Sequence, residues 1–250
     1  MLGKLISRNK YHRPIRKSPM GGFAYRGGGS HFVEIASIYD NGSPITINVA
    51  DSETARESAC SLINRRYIAR GYGGDHRITT NPSSLTFTAF DGQMVFGTLT
   101  LGVDSGAGLA ADRTFRDQID RFRQKPYVNV CELTSLAVDA AIPSTGLLAA
   151  IFHFAFIYGS HHRMCTDLFI EVNPRHRRFY EAMLGFISVG DVRINESVAA
   201  PAQLMHLQVS YVRGQIDNEN KRLRSDRNRS LYPFFFSLDD ESMIAAHVRS

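Results

Sequence analysis

The chain has no tryptophan among its 250 residues, only three cysteines, and no apolar stretch as long as the ~18 residues that signal a membrane-spanning helix. Basic residues near the N-terminus are not followed by a hydrophobic region, so a secretory signal is not expected. Cys60, Cys131 and Cys165 make an odd count without metal-type spacing. Cys131 and Cys165 sit in apolar strand contexts, read as small buried hydrophobes that suit a reducing cytoplasm. The histidines His153, His161, His162 and His176 do not form a metal set, and no metal is expected. Acid is missing from the N-terminal stretch. Residues 1 to 26 carry Lys4, Arg8, Lys10, Arg13, Arg16, Lys17 and Arg26 with no Asp or Glu, a charge of +7. The remainder has 22 basic residues against 24 acids, a charge of −2. The overall +5 therefore belongs to a tail, and a nucleic-acid partner is not expected.

What is present reads as one sizeable globular domain with extensions, at 43% hydrophobic and 21% charged residues. Residues 1–30, rich in Arg, Lys, Pro and Gly, read as a flexible basic tail. His31–Tyr39 alternates as an early strand, Asn41-Gly-Ser-Pro44 turns, and Ile45–Val49 returns. Ser52 opens a helix whose inner stripe is Ala59, Leu62, Ile63 and Tyr67 up to Gly71. Leu85–Phe90 and Met94–Leu101 flank Asp91-Gly92, a hairpin signal. A loop rich in Gly and Asp, from Asp104 to Asp112, leads to a charged helix from Thr114 to Arg123.

Asn129–Val138 is the next strand. Pro143-Ser-Thr-Gly146 opens an apolar helix to Tyr158, and a closing strand pair is expected at Ile187–Val192 and Leu204–Val212. The domain is thus bounded at 31–212. Residues 213–250 form an extension with a charged linker, an aromatic anchor at Tyr232-Pro-Phe-Phe-Phe236 and a short helix from Asp239. This mixture of strands and helices predicts an α/β (α+β) fold with a central mixed sheet and helices on both faces.

Two segments carry chemistry. In Glu132-Leu-Thr-Ser-Leu-Ala-Val138, an ionisable side chain interrupts an apolar strand, which is costly unless it is partnered or functional. Alternation puts Glu132, Thr134, Leu136 and Val138 on one face. Glu132 is either a strand-end carboxylate paired with an arginine or a general base for an amine nucleophile. In the second segment, Asp167–Val172 is an apolar strand that runs into Asn173-Pro174. A short helix follows with Phe179, Tyr180, Met183 and Leu184 on one face, and it closes on Gly185-Phe186. Asn173 reads as the helix cap. Arg175, His176, Arg177 and Arg178 cluster where a helix dipole disfavours cations, so they are a binding surface or a solvated basic face. Arg116, Arg121, Arg123 and Lys125 form a second basic patch.

The Asn173–Phe186 block resembles the last part of the acyl-binding core of the GNAT acyltransferases. Taken in order with Asn64–Tyr72, Phe96–Leu101, Asp104–Leu109 and Glu132–Val138, it is similar to the long-chain N-acyl amino acid synthases, a GNAT-fold group related to acyl-homoserine lactone synthases. The match spans Ala55 to Val212. The resemblance implies splayed central strands and transfer of a long-chain acyl group from acyl carrier protein to the amine of an amino acid. The phosphopantetheine arm of the carrier would be the donor, with no permanently bound cofactor.

It further implies Glu132 as base and Tyr180 as the proton donor to the departing thiolate, the alternative for Tyr180 being a core aromatic. Arg66 would bind the acceptor carboxylate or is a surface arginine. Thr134, Ser135, Leu136, Ala137 and Asn173 would line the substrate, with backbone amides near Leu136 and Ala137 facing the oxyanion. Arg175, Arg177 and Arg178 would dock the acidic carrier protein. Coenzyme A users of this fold carry a basic or amide residue and small residues where this chain has Pro143, Gly146 and Leu148, so a bulky Leu148 is expected to crowd a pyrophosphate. Lactone synthases carry an arginine where Ser135 stands, which argues against lactone formation. The alternatives are an acyl-CoA-dependent N-acetyltransferase and a non-catalytic acyl-carrier-binding module.

Overall fold

The computed structural model describes residues 32–35, 45–73, 75–78, 80–91, 94–139, 145–221 and 230–247. The expected N-terminal tail, the turn at Asn41–Pro44, Gly92, Pro143 and Ser144, and the charged run at 222–229 lie outside them.

Eight strands form a single sheet: β1 (Phe32–Ile35), β2 (Ile45–Val49), β3 (Ser84–Phe90), β4 (Val95–Val103), β5 (Val130–Val138), β6 (Asp167–Val172), β7 (Ile187–Asn195) and β8 (Ala200–Gln208). Their spatial order is β1-β2-β3-β4-β5-β6-β8-β7. Every neighbouring pair is antiparallel except β5–β6, which is parallel. That parallel pair requires a crossover, which α3 (Thr145–Ile157) supplies. The remaining helices are α1 (Glu53–Ile68), α2 (Asp112–Arg123), α4 (Arg177–Leu184), α5 (Val209–Lys221) and α6 (Leu238–His247). None of the described helices is long and apolar enough to cross a membrane.

The sheet is covered on both faces, as its near-continuous apolar central strands demand. On one face α3 is buried over nearly its whole length, from Leu147 to Ile157, against Phe87, Leu99, Leu101, Leu133 and Ile170. On the other, α2 packs Phe115 and Ile119 on Val130, Phe169 and Leu204, and α1 packs Leu62 and Ile63 on Ala137. Local chemistry sets the helix ends. Ser52 accepts a hydrogen bond from the Ala55 amide and caps α1. Gly185 ends α4 in the left-handed region at φ +84°.

The closing strands differ from expectation at one end. The chain leaves the sheet after Gln208, and Val209–Lys221 is helical. Val212 and Ile216, four residues apart, are both buried, so the apolar spacing there serves a helix face rather than a strand. Beyond the undescribed residues 222–229, Leu231, Tyr232 and Phe236 are buried in the same core as α3, and the Tyr232 hydroxyl donates to Leu184 O at 2.6 Å. The buried carboxylate of Glu241 fastens α6. It accepts both Arg213 Nη hydrogen bonds, lies 3.0 Å from His161 Nε2 and stands 3.6 Å from His153 Nε2. His153 Nδ1 in turn accepts from the Phe236 amide at 2.9 Å.

Candidate active site

The central feature is a split in the sheet. Strands β5 and β6 pair only over Val130–Glu132 and Asp167–Phe169, after which their backbones are no longer in register with each other. Beyond that point β5 also carries a bulge. Thr100 pairs with Thr134 and Thr98 with Ala137, so Ser135 and Leu136 together oppose Leu99. Ser135 takes φ +55° to make the extra residue fit, and Thr98 Oγ1 donates to Ser135 O at 2.8 Å to hold it.

The bulge changes the expected faces. Glu132 and Thr134 share the α1/α2 side with Ala137, whereas Leu136 and Val138 pack on the α3 side with Leu133. It also sorts the backbone donors. The Asp139 amide donates to Phe96 O toward β4. By alternation Ala137 also faces β4, and the amides of Leu136 and Val138 point into the split. Of the two expected oxyanion donors, Leu136 is therefore aimed at the gap and Ala137 is not.

Glu132 is 5% exposed, and its carboxylate has partners. Oε1 accepts from the Ala110 amide at 2.6 Å and Oε2 from the Ala111 amide at 3.0 Å. Burial still pushes its pKa above the usual carboxylate value, outweighing the two amides. The partner is thus a loop backbone, not the arginine that sequence reasoning offered. That loop is itself locked. Asp112 accepts from the Leu109 amide at 2.8 Å and pairs with Arg123 through both terminal guanidinium nitrogens. Arg123 also binds Asp104 and Asp120. This takes Arg123 out of the second basic patch, since three aspartates neutralise it; Arg116, Arg121 and Lys125 remain exposed, Lys125 lying over the Phe122 ring at 4.2 Å.

A second carboxylate faces the same side. Glu171 on β6 binds Asn195 Nδ2 and the Thr114 hydroxyl, and burial pushes its pKa up. Sequence reasoning missed it, although it interrupts an apolar strand just as Glu132 does.

Tyr180, on α4 just past the split, is buried in the cluster against which Leu136, Val138 and Val172 pack. Burial raises its hydroxyl pKa well above the ordinary tyrosine value. Tyr67 adds to that rise, and Arg70 opposes it. Tyr67 is likewise pushed up, to about 12. Around these two phenols stand Arg70 and Tyr72 from the turn after α1, and Arg66, near the end of α1, lies close to Arg70. Arg66 Nε is buried without a hydrogen-bond partner among the described residues.

Asn173 Oδ1 accepts from the Arg175 amide at 3.2 Å, so Asn173 caps the turn that precedes α4. Arg175, Arg177 and Arg178 are all exposed. Arg175 donates to the Tyr72 hydroxyl at 3.2 Å, and Arg177 pairs with Glu181 at 3.2 Å. His176 is pushed down to about 4 by burial and by Arg175, which keeps it neutral. Leu148 is 6% exposed within the α3 core, so its bulk does not sit at the loop that would meet a pyrophosphate.

A mixed sheet that opens between two parallel strands, with a bulge on one lip and a buried tyrosine on the helix after the other, defines a GNAT-type acyltransferase. The model of the N-acyl amino acid synthase FeeM family matches residues 58–208, and the chain belongs to that family. The solved structure of FeeM, an N-acyl amino acid synthase from uncultured soil microbes, is similar at 25% identity and a TM-score of 0.61, over 68% of this chain and 94% of that one. An N-acetyltransferase from Staphylococcus aureus Mu50 is similar at 10% identity and a TM-score of 0.45, over 66% of this chain and 98% of that one. An acyl-CoA N-acyltransferase from Pseudomonas aeruginosa is similar at 12% identity and a TM-score of 0.45, over 65% and 97%. No curated protein matches the sequence. The protein is an N-acyltransferase of the synthase family.

Proposed function

We propose that the protein transfers a long-chain acyl group from the phosphopantetheine arm of acyl carrier protein to the α-amine of an amino acid. The observation that carries this is the split between β5 and β6 with Tyr180 buried beside it. A thioester in that gap has the Leu136 amide on one lip and a phenol on the other. The exposed Arg177 and Arg178 at the start of α4 offer an acidic carrier protein a cationic landing surface beside the mouth.

The chemistry follows from the groups at hand. Glu132, with its pKa raised by burial, removes a proton from the acceptor ammonium directly or through a water. The amine then attacks the thioester carbonyl, forming the C–N bond, and the developing oxyanion meets the Leu136 amide. Collapse breaks the C–S bond, Tyr180, protonated at neutral pH, gives its proton to the departing thiolate, and the second proton shed by the new amide nitrogen restores the phenol. The products are an N-acyl amino acid and free carrier protein. The two amides on Glu132 leave its remaining lone pairs for the proton, and they fix the carboxylate in one place.

The experiment is a comparison of kcat/KM for long-chain acyl carrier protein and for the matching acyl-CoA, with an amino acid as acceptor. A strong preference for the carrier protein supports the reading. A preference for acyl-CoA moves the protein to the acyl-CoA-dependent class. Binding of the carrier without turnover makes it a silent carrier-binding module.

A further inference from the structure

The C-terminal end of α1 holds more positive charge than its surroundings neutralise. Arg65 pairs with Asp139 at 2.7 Å, but neither Arg66 nor Arg70 has an ion-pair partner among the described residues. Both are half-buried, and Arg66 Nε is enclosed with nothing to bond. The described groups that reach Arg70 electrostatically are Arg66, Tyr67, Tyr72 and Tyr180, with the neutral His176 also near it: one further cation, three phenols, an imidazole and no carboxylate. Burial first, and Arg66 second, lower the Arg70 pKa. A helix C-terminus normally offers carbonyls to such cations. Here three of the last carbonyls, Arg65 O, Tyr67 O and Ile68 O, already accept from the amides of Ala69, Arg70, Gly71 and Tyr72.

Two neighbouring, half-buried guanidiniums without an anion are a cost to the folded protein. An anion entering between them removes it. Tyr67 completes such a site, because its phenol remains protonated through the neutral range and can donate its O–H. The wall behind it is fixed. Tyr67 stands edge-on to Tyr72 at 6.0 Å and to His76 at 4.6 Å, and Arg175 donates to the Tyr72 hydroxyl. A planar guanidinium fork matches the two oxygens of a carboxylate.

We infer that Arg70, with Arg66 and the hydroxyl of Tyr67, forms the subsite that holds the α-carboxylate of the acceptor amino acid, beside the Tyr180 hydroxyl that serves the thioester. The inference rests on the proposed acceptor class and names the residues that select it. Amine and carboxylate share one carbon, so a carboxylate on this cluster places the amine beside the bond that Tyr180 serves. Arg70 touches substrate in this arrangement, and it sets which amines are accepted.

The test measures KM for an amino acid and for its α-carboxamide, together with KM for long-chain acyl carrier protein. The proteins are the wild type, Arg70→Gln, Arg70→Lys and the control Arg65→Gln. The wild type should prefer the acid. Arg70→Gln should raise KM for the acid by roughly 30-fold, the loss of one charged hydrogen-bonding partner. KM for the carboxamide and for the donor should stay unchanged. Arg70→Lys should recover part of the preference, and Arg65→Gln should keep all of it. An unchanged acid-to-carboxamide ratio in an active Arg70→Gln enzyme overturns the subsite alone. A rise in donor KM instead assigns the cluster to the phosphate of the pantetheine arm and also overturns it. A wild type that acylates no amino acid overturns the proposed function as well, and is told apart by the inactivity of the unmutated enzyme.

Discussion

Gly102 and Glu132 face one another across the β4–β5 pair, and the carboxylate fills the space a side chain at position 102 would take. A Cβ there would lie 3.2 Å from Glu132 Cγ and 3.3 Å from Oε1. The carboxylate cannot drift away cheaply, because the Ala110 and Ala111 amides hold it in a buried place. Gly102→Ala is therefore expected to cost about 1 kcal/mol in chemical denaturation through local overpacking. It should also lower kcat without changing KM for the donor.

The raised pKa of Glu132 gives a pH signature. As a base it must be ionised, so kcat/KM should fall on the acid side with a midpoint above the ordinary carboxylate value of 4.5. Glu132→Gln should remove that limb together with most of the turnover while leaving carrier-protein binding intact. Stability carries the opposite sign. A folded pKa above the unfolded one favours the folded state at low pH, and that contribution is lost as pH rises through the folded value. The stability of the wild type relative to Glu132→Gln should accordingly decline with rising pH across that window. A pH–rate profile and denaturation at several pH values check both.

Tyr180→Phe keeps the ring in its packing against Phe179 and Phe186 and removes only the hydroxyl. The expected loss in kcat is on the order of 100-fold, the size typical of a general acid. Thermal unfolding should move little. In the wild type, burial keeps this hydroxyl protonated, so no fall in rate from Tyr180 is expected up to the ordinary tyrosine value of 10.0.

Glu241 ties α6 to the core through Arg213, His161 and His153, and its pKa is held far below the usual carboxylate range. Burial alone would raise it, but the Arg213 hydrogen bonds and the two histidines outweigh burial. A depressed folded pKa stabilises the protein above the unfolded value of 4.5, and this contribution fades as pH falls below it. Glu241→Gln should cost about 2 kcal/mol at pH 7, discounted for the partly exposed Arg213. Denaturation repeated in acid should show the gap between the two proteins shrinking.

Features written in local chemistry were legible before the fold was known. Asn173-Pro174 and Gly185 bracket α4 because capping needs only neighbours, and the Ser52 cap of α1 follows the same logic. Glu132 stood out because a carboxylate in an apolar strand must be answered somewhere. What answers it was not legible, since Ala110 and Ala111 lie more than twenty residues away. The bulge escaped notice because Ser135, not glycine, takes the left-handed conformation there, and it turned Leu136 to the opposite face. Arg123 read as a free cation for the same reason: Asp104, nineteen residues earlier, meets it only in the folded loop. Nothing in the local sequence sets Arg70 apart from any helix-end arginine, and its three phenol neighbours, one of them from α4, come together only in the fold.

The central claim is acyl transfer to an amino acid amine, and mass spectrometry of the reaction products tests it most directly. The purified protein is incubated with long-chain acyl carrier protein and the twenty amino acids, one of them labelled with heavy nitrogen in each run. The account predicts an N-acyl amino acid whose mass shifts with the label of the preferred acceptor. Release of free fatty acid alone, with no label in any product, would contradict it.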